Sequence, residues 1–235
     1  MLKITPLGVD GSYPTKGPTS GYLVESDNAK ILLDIGSGVF LSLINKIEIT
    51  KLDALVISHF HFDHSSDIGV LKYYLEANRL KLKVYAPKDD SYFCKVILDS
   101  NCFEYVEITE GQKFAINGLL LDFYQMKHPV LTYGVKITDG KKTLSYTGDT
   151  NVCDNLDRLL AGADLALMDS ALTHSRWKVF MPHLSARCCA EYGKKYNLKV
   201  LLTHLYAKFD VNCYLEEALA IYDNCEIAQL KEYLI

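Results

Sequence analysis

Five apolar stretches of this 235-residue chain end abruptly in a histidine or an aspartate. They are AKILLD ending at Asp34, LDALVISH at His59, KTLSYTGD at Asp149, ADLALMD at Asp169 and LKVLLTH at His204. Short runs of leucine and β-branched residues bounded by polar ones are expected to be buried strands. The polar residue then lies just past the carboxyl end of its strand, where open α/β sheets form their ligand crevices. Five such ends, drawn from distant parts of the chain, can converge on one site.

Helical patterns lie between these runs. SDIGVLKYYLEANRL keeps Ile68, Leu71 and Leu75 on one stripe, with Leu80 at its far end and Asp67 as a start signal. SARCCAEYGKKYN begins at a candidate N-cap, Ser185, and aligns Cys189, Tyr192 and Tyr196. YLEEALAIYDN places Leu215, Ala218, Leu219 and Tyr222 on one face. LLLDFYQMKHPV alternates as a strand, with Leu119, Leu121 and Phe123 opposed to Leu120, Asp122 and Tyr124, and then presents His128 before a proline. SYPTKGPTSG is a loop. Strands and helices alternate in both halves without a linker-like tract, so residues 1–235 are expected to form one layered α/β domain. Its two fused halves would meet at a soft break near residue 125.

Composition excludes several partners. The chain is 49% hydrophobic and 23% charged, as in an ordinary globular protein. A net charge of −4 without a lysine- or arginine-rich block gives no grip on a long nucleic acid backbone, so a small substrate fits better. MLKITPLGV reads as a strand and not as a signal peptide, and no apolar run approaches roughly 18 residues. A cytoplasmic protein with no membrane association is expected. The seven cysteines are scattered, with one adjacent pair, Cys188 and Cys189, and no CxxC spacing, so they read as reduced, half-buried small apolar residues.

Chemistry concentrates in VISHFHFDHSSD, Val56 to Asp67, which holds three of the chain's seven histidines. His59 and His61 are two apart, which at an extended strand end points both imidazoles to one side. Asp63 and His64 follow in a turn and approach from another direction, so one segment offers donors to two neighbouring ions. Imidazole suits zinc, and the added carboxylates widen the choice to manganese or iron. A structural zinc would close its tetrahedron with four protein ligands, often thiolates. This cluster has no cysteine and belongs to a wider set, so it reads as catalytic.

His59, His61, Asp63 and His64, followed by His128, Asp149 in TGDT and His204 in LTHL, resemble the ligand series of the metallo-β-lactamase superfamily. The resemblance runs from LLDIGSG, around Asp34, to His204. It implies an αββα sandwich: two mixed β-sheets face to face, flanked by helices, with two divalent metal ions where the sheets meet. His59, His61 and His128 would hold one ion, Asp63, His64 and His204 the other, and Asp149 would bridge them. Zinc is the first expectation. Asp34 would support the metal loop from behind the ligands.

Within the superfamily the chain is most similar to the ribonuclease Z-like and cyclic phosphodiesterase branch, through PLGVDGSYPTKGPTSGYLV, ADLALMDSALTH and PHLSARCCAEYGKKYNLKVLLTHL. The branch's loop histidine, which assists the leaving group, corresponds to His183, with Asp169 as its tuning partner. His174 is claimed by no part of the motif, and Trp177 and Phe180 are expected to pack on neighbours. Three features depart from the tRNA-processing members. Only twenty residues, 129–148, separate His128 from Asp149, which leaves room for a hairpin but no tRNA-binding arm. Gly17 and Pro18 follow PTK where an arginine is expected, and Asp169, Ser170 and Ala171 replace a glutamate followed by Ala and Thr. The resemblance thus implies hydrolysis of a small or cyclic phosphodiester by a hydroxide held between the metals, with Asp63 as partial base and His183 as acid. A lactone or thioester hydrolase is the alternative, and a metal-binding protein without catalysis a more distant one. Relatives of this kind are often homodimers.

Overall fold

The computed structural model describes residues 1–206 and 208–235. The first sheet takes its strands from the N-terminal half: β1 (Lys3–Gly8), β2 (Gly21–Glu25), β3 (Lys30–Leu33), β4 (Ala54–Val56), β5 (Leu82–Ala86) and β6 (Phe103–Glu107). The second comprises β7 (Lys113–Ile116), β8 (Leu119–Gln125), β9 (Tyr133–Thr138), β10 (Thr143–Tyr146), β11 (Leu165–Asp169), β12 (Lys199–Thr203) and β13 (Cys225–Ile227). β14 (Tyr233–Leu234) returns to pair antiparallel with β1, so the orders are 14-1-2-3-4-5-6 and 13-12-11-10-9-8-7. The two sheets share one plan. β14 to β3 and β7 to β10 are antiparallel, whereas β3 to β6 and β10 to β13 are parallel.

The strands pack as their patterns require. Leu119, Leu121 and Phe123 of β8 point into the layer between the sheets, where they meet Ile4, Val24, Ile31, Leu33, Val135 and Leu167. Outside the first sheet lie α1 (Val39–Ile44), α2 (Phe62–Ser65), α3 (Ile68–Asn78) and α4 (Tyr92–Leu98), and apolar residues of α1, α3 and α4 form a second cluster with the sheet's outer face. Outside the second lie α5 (Asp154–Leu160), α6 (Ala186–Tyr196) and α7 (Val211–Leu219), which make a third. This is the αββα sandwich. Among the described residues no helix is long and apolar enough to cross a membrane.

The expected elements differ from the observed ones in three places. The chain passes between sheets at residues 108–112, whereas residue 125 ends β8 inside the second sheet. The His128–Pro129 punctuation marks the end of a strand and not a boundary between halves. Asp67 stands at the start of α3 as expected, but its side chain makes no cap bond there; its Oδ2 accepts the Phe40 N–H at 2.9 Å and so tethers α1. The last helix is shifted: Asp210 caps it by accepting the Asn212 N–H, Tyr214 and Ala218 face inward, Leu219 is exposed, and Tyr222 lies beyond its end. Ala218 is buried as expected, but Tyr214 takes the inward place expected of Leu215. Ser185 does cap α6, accepting the Cys188 N–H. All seven cysteines are free thiols, five of them buried.

Candidate metal centre

The five strand ends meet where the two sheets meet. Asp34 follows β3, His59 follows β4, Asp149 follows β10, Asp169 ends β11 and His204 follows β12. Asp34 and His59 of the first half reach across to the second: Tyr146 donates its hydroxyl to Asp34 at 2.6 Å, and His59 Nε2 lies 3.7 Å from Asp149. Two backbones approach too closely for any side chain. A Cβ on Gly36 would lie 2.0 Å from the Asp63 carbonyl oxygen, and one on Gly11 would lie 2.5 Å from that of His204. Asp34, His204 and Ser12 all hold left-handed φ angles, of 55°, 57° and 62°. Asn197 and Arg79 hold the same conformation as helix C-caps, so the angles gain weight here from falling together at one site.

His59, His61 and His128 form the first donor group together with Asp149. The Nδ1 of His61 is 3.1 Å from His59 Nε2 and 3.1 Å from His128 Nε2. Their tautomers follow from their outer partners. Ser58 donates its hydroxyl to Asp34 Oδ2 at 2.8 Å, so its oxygen accepts from His59 Nδ1 at 3.0 Å. The Pro182 carbonyl can only accept, so His128 Nδ1 carries the proton of their 3.1 Å bond. The inner nitrogens of His59 and His128 therefore carry lone pairs, and both aim at a third ring nitrogen. One proton on His61 cannot serve two lone pairs equally, but a cation can. Burial is the first cause that keeps all three rings below the ordinary histidine pKa, and for His59 the nearby His64 ring adds to it.

Asp63, His64 and His204 form the second group. Here carboxylates stand behind the rings. His64 donates Nδ1–H to Asp34 at 2.7 Å and turns Nε2 toward Asp149 Oδ1 at 3.2 Å. His204 Nε2 lies 2.9 Å from Asp63 Oδ2, which also accepts the Ser12 N–H at 2.8 Å. Burial opposes charge on His204, yet Asp149 and its fellow carboxylates push its pKa up to about 10. The same contest raises His64 well above its usual value, again chiefly through Asp149.

Asp149 reaches both groups. Its Oδ2 lies 3.7 Å from His59, 3.8 Å from His128 and 3.5 Å from His204, while the buried Oδ1 has no hydrogen-bond partner. A carboxylate oxygen left orphaned in the interior beside bare imidazole nitrogens is the expected mark of a cation site. Hard oxygen and borderline nitrogen donors without thiolate suit a divalent ion. The residues present fit the metal.

Beside the second group, His183 Nδ1 donates to Asp169 Oδ2 at 2.9 Å, and its ring stacks on His204 at 5.2 Å. Burial counts against the charged ring, but Asp169 overrides it and raises the His183 pKa. His174 lies apart; its Nδ1 bonds Ser185 Oγ and its ring stacks on Trp177. Trp177 packs as expected, but Phe180 does not: it is 79% exposed at the tip of its loop. The sequence reading missed Ser58, Tyr146, Ser12 and the Pro182 carbonyl. Only Tyr146 left a sequence signal, a tyrosine in an aliphatic strand whose hydroxyl needs a buried partner.

A protein-family model described as a beta-lactamase superfamily domain matches residues 30–205, a span that contains every residue of both donor groups. The chain belongs to the metallo-β-lactamase superfamily. It is 28% identical over 212 residues to the "Probable metallo-hydrolase YhfI" of Bacillus subtilis, covering 87% of each chain. The crystal structure of that protein superposes with a TM-score of 0.92 over 99% of this chain and 98% of the other, at 25% identity. A ribonuclease Z of Sulfolobus acidocaldarius is 24% identical over 288 residues, covering 100% of this chain and 99% of its own. A diphosphatase of the PhnP family shares the fold, with a TM-score of 0.75 at 16% identity, covering 100% of this chain and 98% of its own. Superfamily membership and these relatives make the chain a metallo-hydrolase near the ribonuclease Z branch.

Proposed function

We propose that this metallo-hydrolase is a phosphodiesterase that uses two divalent ions, zinc first, on a small or cyclic phosphodiester. Asp149, within reach of both donor groups, supports the pair. His59, His61 and His128 would hold one ion, and Asp63, His64 and His204 the other. Bound there, a divalent pair supplies an acidified water and neutralises charge building on the phosphoryl oxygens.

The chain's own residues supply the remainder. Asp63 has Oδ2 fixed by the Ser12 N–H and His204, so its carboxylate is oriented to take a proton from the attacking water. Asp34 holds His64 and, through Ser58, His59, which fixes both rings before any ligand arrives. The observation that carries the reading is the Asp169–His183 pair. Asp169 occupies Nδ1 and favours the charged ring, so Nε2–H is free to protonate a leaving alkoxide. A thiolate leaving group would need no such acid. The names of the ribonuclease Z and diphosphatase relatives point to phosphoryl chemistry as well. The β9–β10 hairpin fills residues 129–148 without an arm, which with the net charge of −4 favours a small substrate over a long RNA.

The test is side-by-side turnover of bis(p-nitrophenyl) phosphate, cyclic nucleotides, a lactone and a thioester by protein loaded with zinc or manganese. Phosphodiester hydrolysis that exceeds the other two is expected. Lactone or thioester turnover without phosphodiester turnover would overturn the reading.

A further inference from the structure

The loop that delivers His183 runs from β11 to α6 and contains no regular element, yet much of its backbone is held by one buried side chain. Asn151, two residues past Asp149, is fully buried. Its Nδ2 donates to the carbonyls of Lys178 at 3.0 Å and Met181 at 2.6 Å. Its Oδ1 accepts the Trp177 indole N–H at 2.9 Å and the Val152 N–H at 2.6 Å. Both donors and both lone pairs of the amide are thus used. Its own N–H donates to Lys127 O at 3.0 Å, which joins it to the segment bearing His128. The neighbouring carbonyls of the loop are taken by that same segment: Val179 by Lys127 Nζ at 3.1 Å, and Pro182 by His128 Nδ1 at 3.1 Å.

We propose that Asn151 is a positioning residue for proton transfer: by clamping Trp177, Lys178 and Met181 it sets where His183 stands against Asp169 and keeps the Pro182 carbonyl on His128. The inference rests on His183 acting as the acid. No other neutral side chain of this size offers two donors and two lone pairs in one plane. Asn151→Asp preserves shape and both acceptors but turns a carboxylate oxygen toward two carbonyls, so the clamp opens at the loop and not at Trp177. Asn151→Ala releases all three residues.

Two features make the clamp measurable. Trp177 is the chain's one tryptophan, so its emission reports the Asn151 contact directly. Lys178 is exposed and its carbonyl, the bond trypsin would cut, is held by Asn151. The experiment compares wild type, Asn151→Asp, Asn151→Ala and His183→Asn, all checked for native circular dichroism. Tryptic cleavage after Lys178 is followed by mass spectrometry, and kcat and KM are measured on a p-nitrophenyl and an alkyl phosphodiester. Only the alkyl ester needs an acid for its leaving group. Displacing a catalytic group by about 1 Å costs about 100-fold, so both Asn151 variants should lose about 10- to 100-fold more kcat on the alkyl ester than on the p-nitrophenyl ester. KM should hold within about twofold, and cleavage after Lys178 should quicken. If the Asn151 variants misfold, Trp177→Phe, which removes one donor to the amide, should shift the same ratio in the same direction by a smaller factor. A protected Lys178 bond and an unchanged ester ratio in folded variants would overturn the proposal. An unchanged ratio in His183→Asn would instead overturn the reading of His183, and with it the catalytic part of this inference, while the cleavage result still reports the clamp.

Discussion

The two donor groups lie side by side and share Asp149, yet they solve opposite problems. The three rings of His59, His61 and His128 are anchored by neutral oxygens of Ser58 and Pro182 at two of their outer nitrogens, and burial holds all three pKa values down. His64 and His204 are surrounded by Asp34, Asp63, Asp149 and Asp169, and their pKa values are raised against the same burial. Without metal, the second group is a set of histidine–carboxylate pairs in which most polar atoms find a partner, with His204 Nδ1 and Asp149 Oδ1 left over. The first is not such a set. The comparison implies that one group is built to accept an ion without exchanging protons, whereas the other must release protons to do so.

Removing the shared residue should have the largest effect. Asp149→Ala removes the carboxylate that lies within reach of both groups, and loss of several kcal/mol of charge stabilisation at about 1.4 kcal/mol per decade is expected to lower kcat/KM about 10³-fold or more. Inductively coupled plasma analysis should show depleted metal at the same time. A variant that keeps full metal and activity would show that Asp149 bridges nothing.

Single-ring variants sharpen the contrast next. In metal-free protein, His64→Ala removes one of four hydrogen-bond donors to the buried Asp34 carboxylate and should cost about 2 kcal/mol of unfolding free energy. His61→Ala, whose recorded contacts are with other rings, should leave metal-free stability nearly unchanged while lowering metal content. Urea titrations of the two metal-free variants separate these outcomes, and equal losses would erase the distinction.

Proton linkage gives a smaller signal with a defined sign. The folded pKa of His204, about 10, lies above the ordinary value of 6.5, so its contribution to metal-free stability is complete below 6.5 and is lost as pH rises toward 10. Metal binding must expel that proton, so affinity at the second group rises with pH across this window, whereas the first group's already neutral rings give a nearly flat profile above 6.5. Calorimetry in buffers of different ionisation enthalpy should resolve one binding step that releases protons and one that releases almost none.

The smallest effect is a control far from both groups. Glu25, nearly buried between Lys30 and Lys3, has its pKa lowered by those lysines against the opposing effect of burial. Its contribution is present above the ordinary value of 4.5 and is lost as pH falls through the lower folded value. Glu25→Gln should flatten the acid limb of stability in that window and leave metal binding untouched.

The sequence displayed what local chemistry controls. Strand ends at Asp34, His59, Asp149, Asp169 and His204 were readable because buried parallel strands are continuous apolar runs, and the HxHxDH spacing is compressed into one segment. The partners of the supporting groups were not readable, although Tyr146 in its aliphatic strand signalled the need for one. Ser58, Tyr146 and Asn151 are ordinary residue types whose partners lie 24, 112 and about 30 positions away, respectively. Nothing local marks the Pro182 carbonyl that orients His128. At α7 packing takes Tyr214 and Ala218 inward and leaves Leu219 exposed, a choice of face that apolar spacing alone does not make.

If two unlike donor groups hold two ions that together hydrolyse a phosphodiester, activity must follow the second ion bound and not the first. The most direct measurement is stepwise reloading of chelator-stripped protein with zinc or manganese, recording bis(p-nitrophenyl) phosphate turnover against ions bound per chain. Little activity is expected with the first equivalent and a steep rise with the second. Full activity at one equivalent, or turnover that survives complete removal of metal, would contradict that dependence on the second ion.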